Sequence, residues 1–297
     1  MFSLNGIAVA AVTPFDRNGI FEEKPFRVLL DWWLGQGVHG MVICGSTGEV
    51  AYLNHPERQR IFEVAVEHID RRVPVIAGTG FASTNETIEM TKTAAQIGVD
   101  AALVITPFYY PVSQKLLFEH YKKVASTSKT PVLLYNNPQV THVKLEAETV
   151  AELSKVENIV GIKDSAGDWA LLEKILKLTD EAFIVFSGSL KLLPAALDAG
   201  ADGGILAIAS VAPGLCVELY RLCKQGQPKE ASALHEQLKV LIQGLNETYG
   251  ISGLKTAIKL LGLPAEYPRM PLLPLSASEE QSVQKTLQQL NLLAIKS

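Results

Sequence analysis

Cysteine is scarce. Cys44, Cys216 and Cys223 are the only three in 297 residues, too few and too scattered for a disulfide framework or a four-ligand zinc site. A reducing, cytoplasmic setting is the resulting expectation. Positive charge is not in excess either: 27 Lys and Arg stand against 31 Asp and Glu, for a net charge of −4. Such a chain has no broad attraction for phosphate backbones or anionic lipid, so no nucleic acid and no membrane is expected as a partner. The uncharged stretch Gly203–Val217 covers only 15 residues and contains Pro213, short of the roughly 18 needed to span a bilayer. MFSLNGIAVAAVTPF has no basic leader before its apolar stretch, and no export signal is read there. The histidines, His39, His55, His68, His120, His142 and His235, show no close ligand spacing, so no metal is expected. Of these, His142 alone falls near a strand-end loop, as a rim residue at most. GTGFAS, from Gly78, lacks the third glycine and the acidic partner of a dinucleotide loop and reads as a turn.

What the chain does have is 47% apolar residues, arranged as short β-branched runs bounded by Gly, Pro or Asp. The runs begin at Gly6, Gly40, Pro74, Ala101, Pro131, Ile159, Ala182 and Gly203, 21 to 34 residues apart. Each is too continuously apolar for a strand with one wet face. Between them lie helix-length segments such as STNETIEMTKTAAQIG, where Thr84 or Asn85 is expected to cap and Gly98 to terminate. Eight strand–helix units of near-equal length point to an α/β fold, a (β/α)8 TIM barrel, over an open doubly wound sheet. The barrel is expected over residues 1–213. Residues 214–297 read as a C-terminal helical extension packed on it, including helices in PKEASALHEQLKVLIQGLNETYG and ASEEQSVQKTLQQLNLL.

In a parallel barrel the chemistry sits where strands end. Lys163 ends IVGIK. A lysine pointing into a barrel mouth loses hydration, its pKa falls, and the neutral amine can attack a ketone to form an imine. From this residue alone the other reading is a lysine paired with Asp164 or snorkelling to the rim. Tyr135 ends PVLLY and offers a phenol for proton transfer, or simply a buried tyrosine with one hydrogen bond. GSTGE, Gly45 to Glu49, combines hydroxyls and loop amides as an anion pocket at the start of a helix. TPFYYP places Tyr109 and Tyr110 either at the mouth or between subunits.

GSTGE, TPFYY, LLYNNP and GIKDS, in that order, make the chain resemble the dihydrodipicolinate synthase / N-acetylneuraminate lyase family of pyruvate-dependent class I aldolases. The likeness runs from LNGIAVAAVTPF nearly to the C-terminus. It implies the barrel with a helical tail, a homotetramer built as a dimer of dimers, no cofactor beyond a covalent imine, and metal-independent lyase chemistry. It also implies roles: Lys163 forms the imine and Tyr135 shuttles protons. Ser46 and Thr47 bind the carboxylate of pyruvate, and Tyr109 enters a neighbouring subunit to complete a relay with Thr47. Ile205 matches a residue whose backbone carbonyl lines the lysine pocket.

The second substrate is less defined. The synthases carry an Arg in a pattern like YNVPSRTG that grips the carboxylate of aspartate semialdehyde, whereas YNNPQVTH puts Val140 there. GIKDSAGD and YGISGLK look more like members that cleave 4-hydroxy-2-oxoglutarate or 2-keto-3-deoxy sugar acids. Reversible cleavage of a 4-hydroxy-2-oxo acid to pyruvate and an aldehyde is therefore the expected activity. Condensation of pyruvate with aspartate semialdehyde is the alternative, and a pyruvate-binding regulatory relative or a sugar-acid dehydratase stands further off.

Overall fold

The computed structural model describes residues 2–293. Eight parallel strands close into a barrel: β1 Gly6–Ala10, β2 Gly40–Ile43, β3 Val75–Gly78, β4 Ala101–Ile105, β5 Val132–Asn136, β6 Ile159–Asp164, β7 Ile184–Ser187 and β8 Gly203–Leu206. Closure is made by β1 against β8, with Gly6 beside Gly203 and Val9 beside Leu206. Each strand begins within two residues of its expected start. The shifts occur where Pro74, Pro131 and Ala182 precede the first paired residue.

Alternation along each strand sorts the side chains into two layers. Ala8, Ala10, Ile76, Leu103, Leu133, Tyr135, Phe186 and Ile205 share the barrel interior. Their neighbours Ala102, Val104, Val132, Leu134, Ile162 and Val185 pack outward with helix residues such as Leu117, Tyr121 and Leu172. A residue at an odd position of β5 thus faces the same space as its register partner on β6, which sets Tyr135 beside Lys163.

The helix Thr84–Ile97 ends at Gly98, φ 98°, as expected, but its N-cap is Ser83 rather than Thr84 or Asn85. The Thr84 hydroxyl is instead 2.9 Å from His120 Nδ1, and Asn85 is exposed.

Beyond β8 the chain forms helices Pro213–Lys224, Pro228–Ile242, Thr248–Leu260 and Ala277–Gln289. Cys216, Leu219, Leu241, Leu245, Ile258 and Leu287 from this region are buried in one apolar cluster with Ile7, Phe26, Trp33 and Ile43 of the barrel. The helix expected through Gly250 is interrupted: Gln243–Glu247 forms a π-turn, and Gly250 leaves helical geometry at φ 57°, ψ −139°. Glycine lets the chain make that break without a Cβ clash.

Candidate active site

A cavity of about 390 Å³ opens at the C-terminal ends of the strands. Ser46, Thr47, Tyr135, Lys163 and Ile205 all line it, so five of the six residues singled out in the sequence share one space. Lys163 is only 5% exposed, and its Nζ lies 4.2 Å from the centroid of the Tyr135 ring. Lys163 makes no ion pair with Asp164. The Asp164 carboxylate accepts from Asn136 Nδ2 at 2.7 Å and from the Ala166 amide at 3.2 Å. Burial raises Asp164 to about 6 despite those bonds. Asn136 in turn accepts from the Leu145 amide at 3.0 Å, which anchors the loop after β5 to the barrel.

The Tyr135 hydroxyl receives a hydrogen bond from Asn137 Nδ2 at 3.0 Å and lies 3.4 Å from Ser46 Oγ. Burial pushes the phenol up, but the Lys163 charge and the hydrogen bonds with Ser46 and Asn137 outweigh it and hold the phenol below its ordinary value. A phenol biased toward ionisation beside an amine is suited to passing protons at a forming imine.

The GSTGE segment differs from its expected form. It is not the start of an α-helix but a 3₁₀ turn, Ser46–Gly48, followed by Glu49 in a left-handed conformation and a second 3₁₀ turn, Val50–Tyr52. The α-helix begins only at His55, where Asn54 and Glu57 form a capping box. The tight turn still leaves backbone donors free. Neither the Ser46 nor the Thr47 amide finds an acceptor among the described residues, and both residues border the cavity. Glu49 is pinned from behind by a fully buried ion pair with Lys255, Oε1 to Nζ 2.5 Å. Its other oxygen accepts from the Arg269 amide at 2.7 Å. Lys255 also donates to the Tyr267 carbonyl at 2.8 Å and lies over the Phe15 ring. The turn that presents Ser46 and Thr47 is thus tied to the C-terminal helices.

Tyr109 is not brought to this cavity. It is 84% exposed, held at φ 80° and stacked edge-on against Tyr110. His142 is exposed and does not line the cavity. Val140 is at the rim, 55% exposed.

Several polar lining groups escaped the sequence reading, Asn137, Lys191 and Glu247 among them. Asn137 lies in the YNNP motif, two residues past the phenol it contacts. Lys191, a few residues past the end of β7, follows the same strand-end rule that marked Lys163. Glu247 comes from the helical tail, which a rule about strand ends does not reach. Gly188 is required by close approach: a Cβ there would lie 1.8 Å from Ser165 Oγ. Among the described residues no group of three or more His, Cys, Asp or Glu side chains is placed to hold a metal ion, and no helix is long and apolar enough to cross a membrane.

A buried amine against a phenol, beside unpaired amides at the mouth of a parallel barrel, is the arrangement of a Schiff-base carbon–carbon lyase. The chain belongs to the dihydrodipicolinate synthetase family, whose model matches residues 3–290, and with it to the pyruvate-dependent class I aldolases. A 4-hydroxy-tetrahydrodipicolinate synthase from Methanothrix thermoacetophila is 39% identical over 283 residues, 95% of either chain. Among solved structures, a dihydrodipicolinate synthase from Bacillus anthracis superposes with a TM-score of 0.94 at 35% identity, covering 97% of this chain and 99% of that one. YagE, a prophage protein of the same family from E. coli K12 in complex with pyruvate, superposes at 0.93 with 33% identity, covering 97% and 99%.

Proposed function

We propose that this chain condenses pyruvate, held as an imine on Lys163, with aspartate semialdehyde, as a 4-hydroxy-tetrahydrodipicolinate synthase. The observation that carries the pyruvate half is Lys163 buried against Tyr135 in the same cavity as the Ser46 and Thr47 amides. The acceptor half is supported by the curated relatives, which match nearly the whole chain and bear that name. They favour condensation over the cleavage reading drawn from the sequence.

In this reading the Lys163 amine, once it has given up its proton, adds to C2 of pyruvate and water leaves. The carboxylate sits on the Ser46 and Thr47 amides and hydroxyls, with Ile205 lining the same cavity. Tyr135 accepts and returns the protons of imine formation. Loss of a C3 proton gives the enamine, whose C3 attacks the aldehyde carbon and leaves an alkoxide that takes a proton. The acceptor's ammonium then releases its proton, and the freed amine attacks C2 and expels the Lys163 nitrogen, which takes up a proton as the ring closes and the enzyme is freed. Tyr109, too exposed to serve its own cavity, completes the proton relay to Thr47 in a second copy. Tyr109→Phe is expected to slow turnover without preventing imine formation.

One observation favours the cleavage of a 4-hydroxy-2-oxo acid instead: Val140 stands where the resemblance places a carboxylate-binding Arg. The two readings share the imine and differ in the aldehyde. Purified protein given pyruvate and aspartate semialdehyde should consume both and form the cyclic product. Pyruvate release from 4-hydroxy-2-oxoglutarate, with no condensation, would replace the synthase reading by the cleavage one.

A further inference from the structure

We propose that the Lys191–Glu247 ion pair is the acceptor-recognition site and that it selects an aldehyde carrying a zwitterionic amino-acid end. This rests on the pyruvate-imine reading above. Among the described residues the charged side chains lining the cavity are Lys163, Lys191 and Glu247. Lys163 is consumed by the imine, so an acceptor entering next meets one cation and one anion, and these are already joined: Lys191 Nζ lies 2.6 Å from Glu247 Oε1.

The setting of this pair suits exchange rather than structure. The two side chains are 47% and 44% exposed, and ion pairs at such exposure are weak because water competes for both charges. A ligand with one carboxylate and one ammonium can open the pair and re-pair each half, so the site trades one ion pair for two and strands no charge. The loop after β5 offers Asn137, Gln139 and Val140 to the cavity, so Lys191 is the group left to hold a carboxylate. Lys191 stands just past the end of β7, the position from which barrels present side chains to substrate.

The backbone on the Glu247 side is irregular in the same place. Gln243–Glu247 is a π-turn, a feature that re-aims side chains and recurs at functional sites. Its carbonyl at Gln243 accepts from the Thr248 hydroxyl at 2.6 Å, and the Gly250 break follows directly. Asn246, Glu247 and Gly250 all line the cavity. Asn246 and Glu247 lie within the π-turn itself, and Gly250 is the residue at which the helix breaks.

The test compares wild type with Lys191→Met and Glu247→Gln. Each is given pyruvate with aspartate semialdehyde, with succinate semialdehyde, which lacks the ammonium, or with butanal, which lacks both charges. Pyruvate consumption is the readout, and borohydride trapping of the pyruvate adduct is run on the same preparations. Wild type should prefer aspartate semialdehyde over succinate semialdehyde, and that over butanal. Lys191→Met should raise KM for both carboxylate-bearing aldehydes about tenfold or more, leave butanal unchanged, and still trap pyruvate. Glu247→Gln should raise KM for aspartate semialdehyde alone. If pyruvate is trapped but Lys191→Met keeps the wild-type preference, or wild type has none, this inference falls and the imine reading stands. If wild type traps no pyruvate, both fall together.

Discussion

The buried Glu49–Lys255 pair offers the sharpest energetic prediction, because both side chains are wholly inaccessible to water. Lys255→Met keeps most of the aliphatic volume and removes the charge, leaving the Glu49 carboxylate with the Arg269 amide alone. Removing one partner of a buried pair costs about 3–5 kcal/mol, most of it the penalty of the charge left behind. Glu49→Gln should cost a similar amount, since Lys255 then keeps its charge with only the Tyr267 carbonyl and the Phe15 ring beside it. Were the two residues independent, the double variant would lose the sum, about 6–10 kcal/mol. With both charges gone it should lose no more than either single variant. Urea denaturation at pH 7, with m-values compared across the four proteins, measures the cycle. Singles that each cost under about 1 kcal/mol, or a double that costs their sum, would refute the argument.

Other consequences are read more directly. Tyr135→Phe removes the hydroxyl that contacts Asn137 and Ser46. Steady-state turnover should fall by about 10²- to 10⁴-fold, with adduct still trappable after long incubation. Two buried groups act oppositely on acid stability. His120 is held down to about 4 by burial, so the unfolded chain binds its proton first, and stability is lost as pH falls from 6.5 through about 4. His120→Gln should remove that loss. Asp164 is raised from 3.8 to about 6, so the folded chain holds the proton longer, and its contribution is lost as pH rises through that window. Asp164→Asn should therefore steepen the net acid loss between pH 6 and 4 in denaturation curves taken across that range.

The barrel was legible because its physics is local and repeated. A strand buried on both faces reads as an unbroken apolar run, and eight such runs at near-even spacing leave few alternatives to a closed parallel sheet. Lys163 and Tyr135 were legible for the converse reason: a polar residue closing an apolar run is conspicuous. Local signals failed where tertiary partners decide. Thr84 is engaged with His120 rather than capping, and Ser83 holds the N-cap position with no side-chain capping bond. GSTGE turns as a 3₁₀ segment because Glu49 is drawn toward Lys255, more than 200 residues away in the chain. The wall formed by Asn246 and Glu247 lies in a π-turn inside a stretch whose periodicity reads as plain helix. No spacing rule connects it to a cavity built from strand ends.

The central claim is a covalent one, and borohydride reduction in the presence of pyruvate tests it most directly. Mass spectrometry of the intact chain and its peptides should show one reduced pyruvate adduct, on Lys163, absent from Lys163→Ala. An unmodified chain at saturating pyruvate, or an adduct retained in Lys163→Ala, would contradict the account.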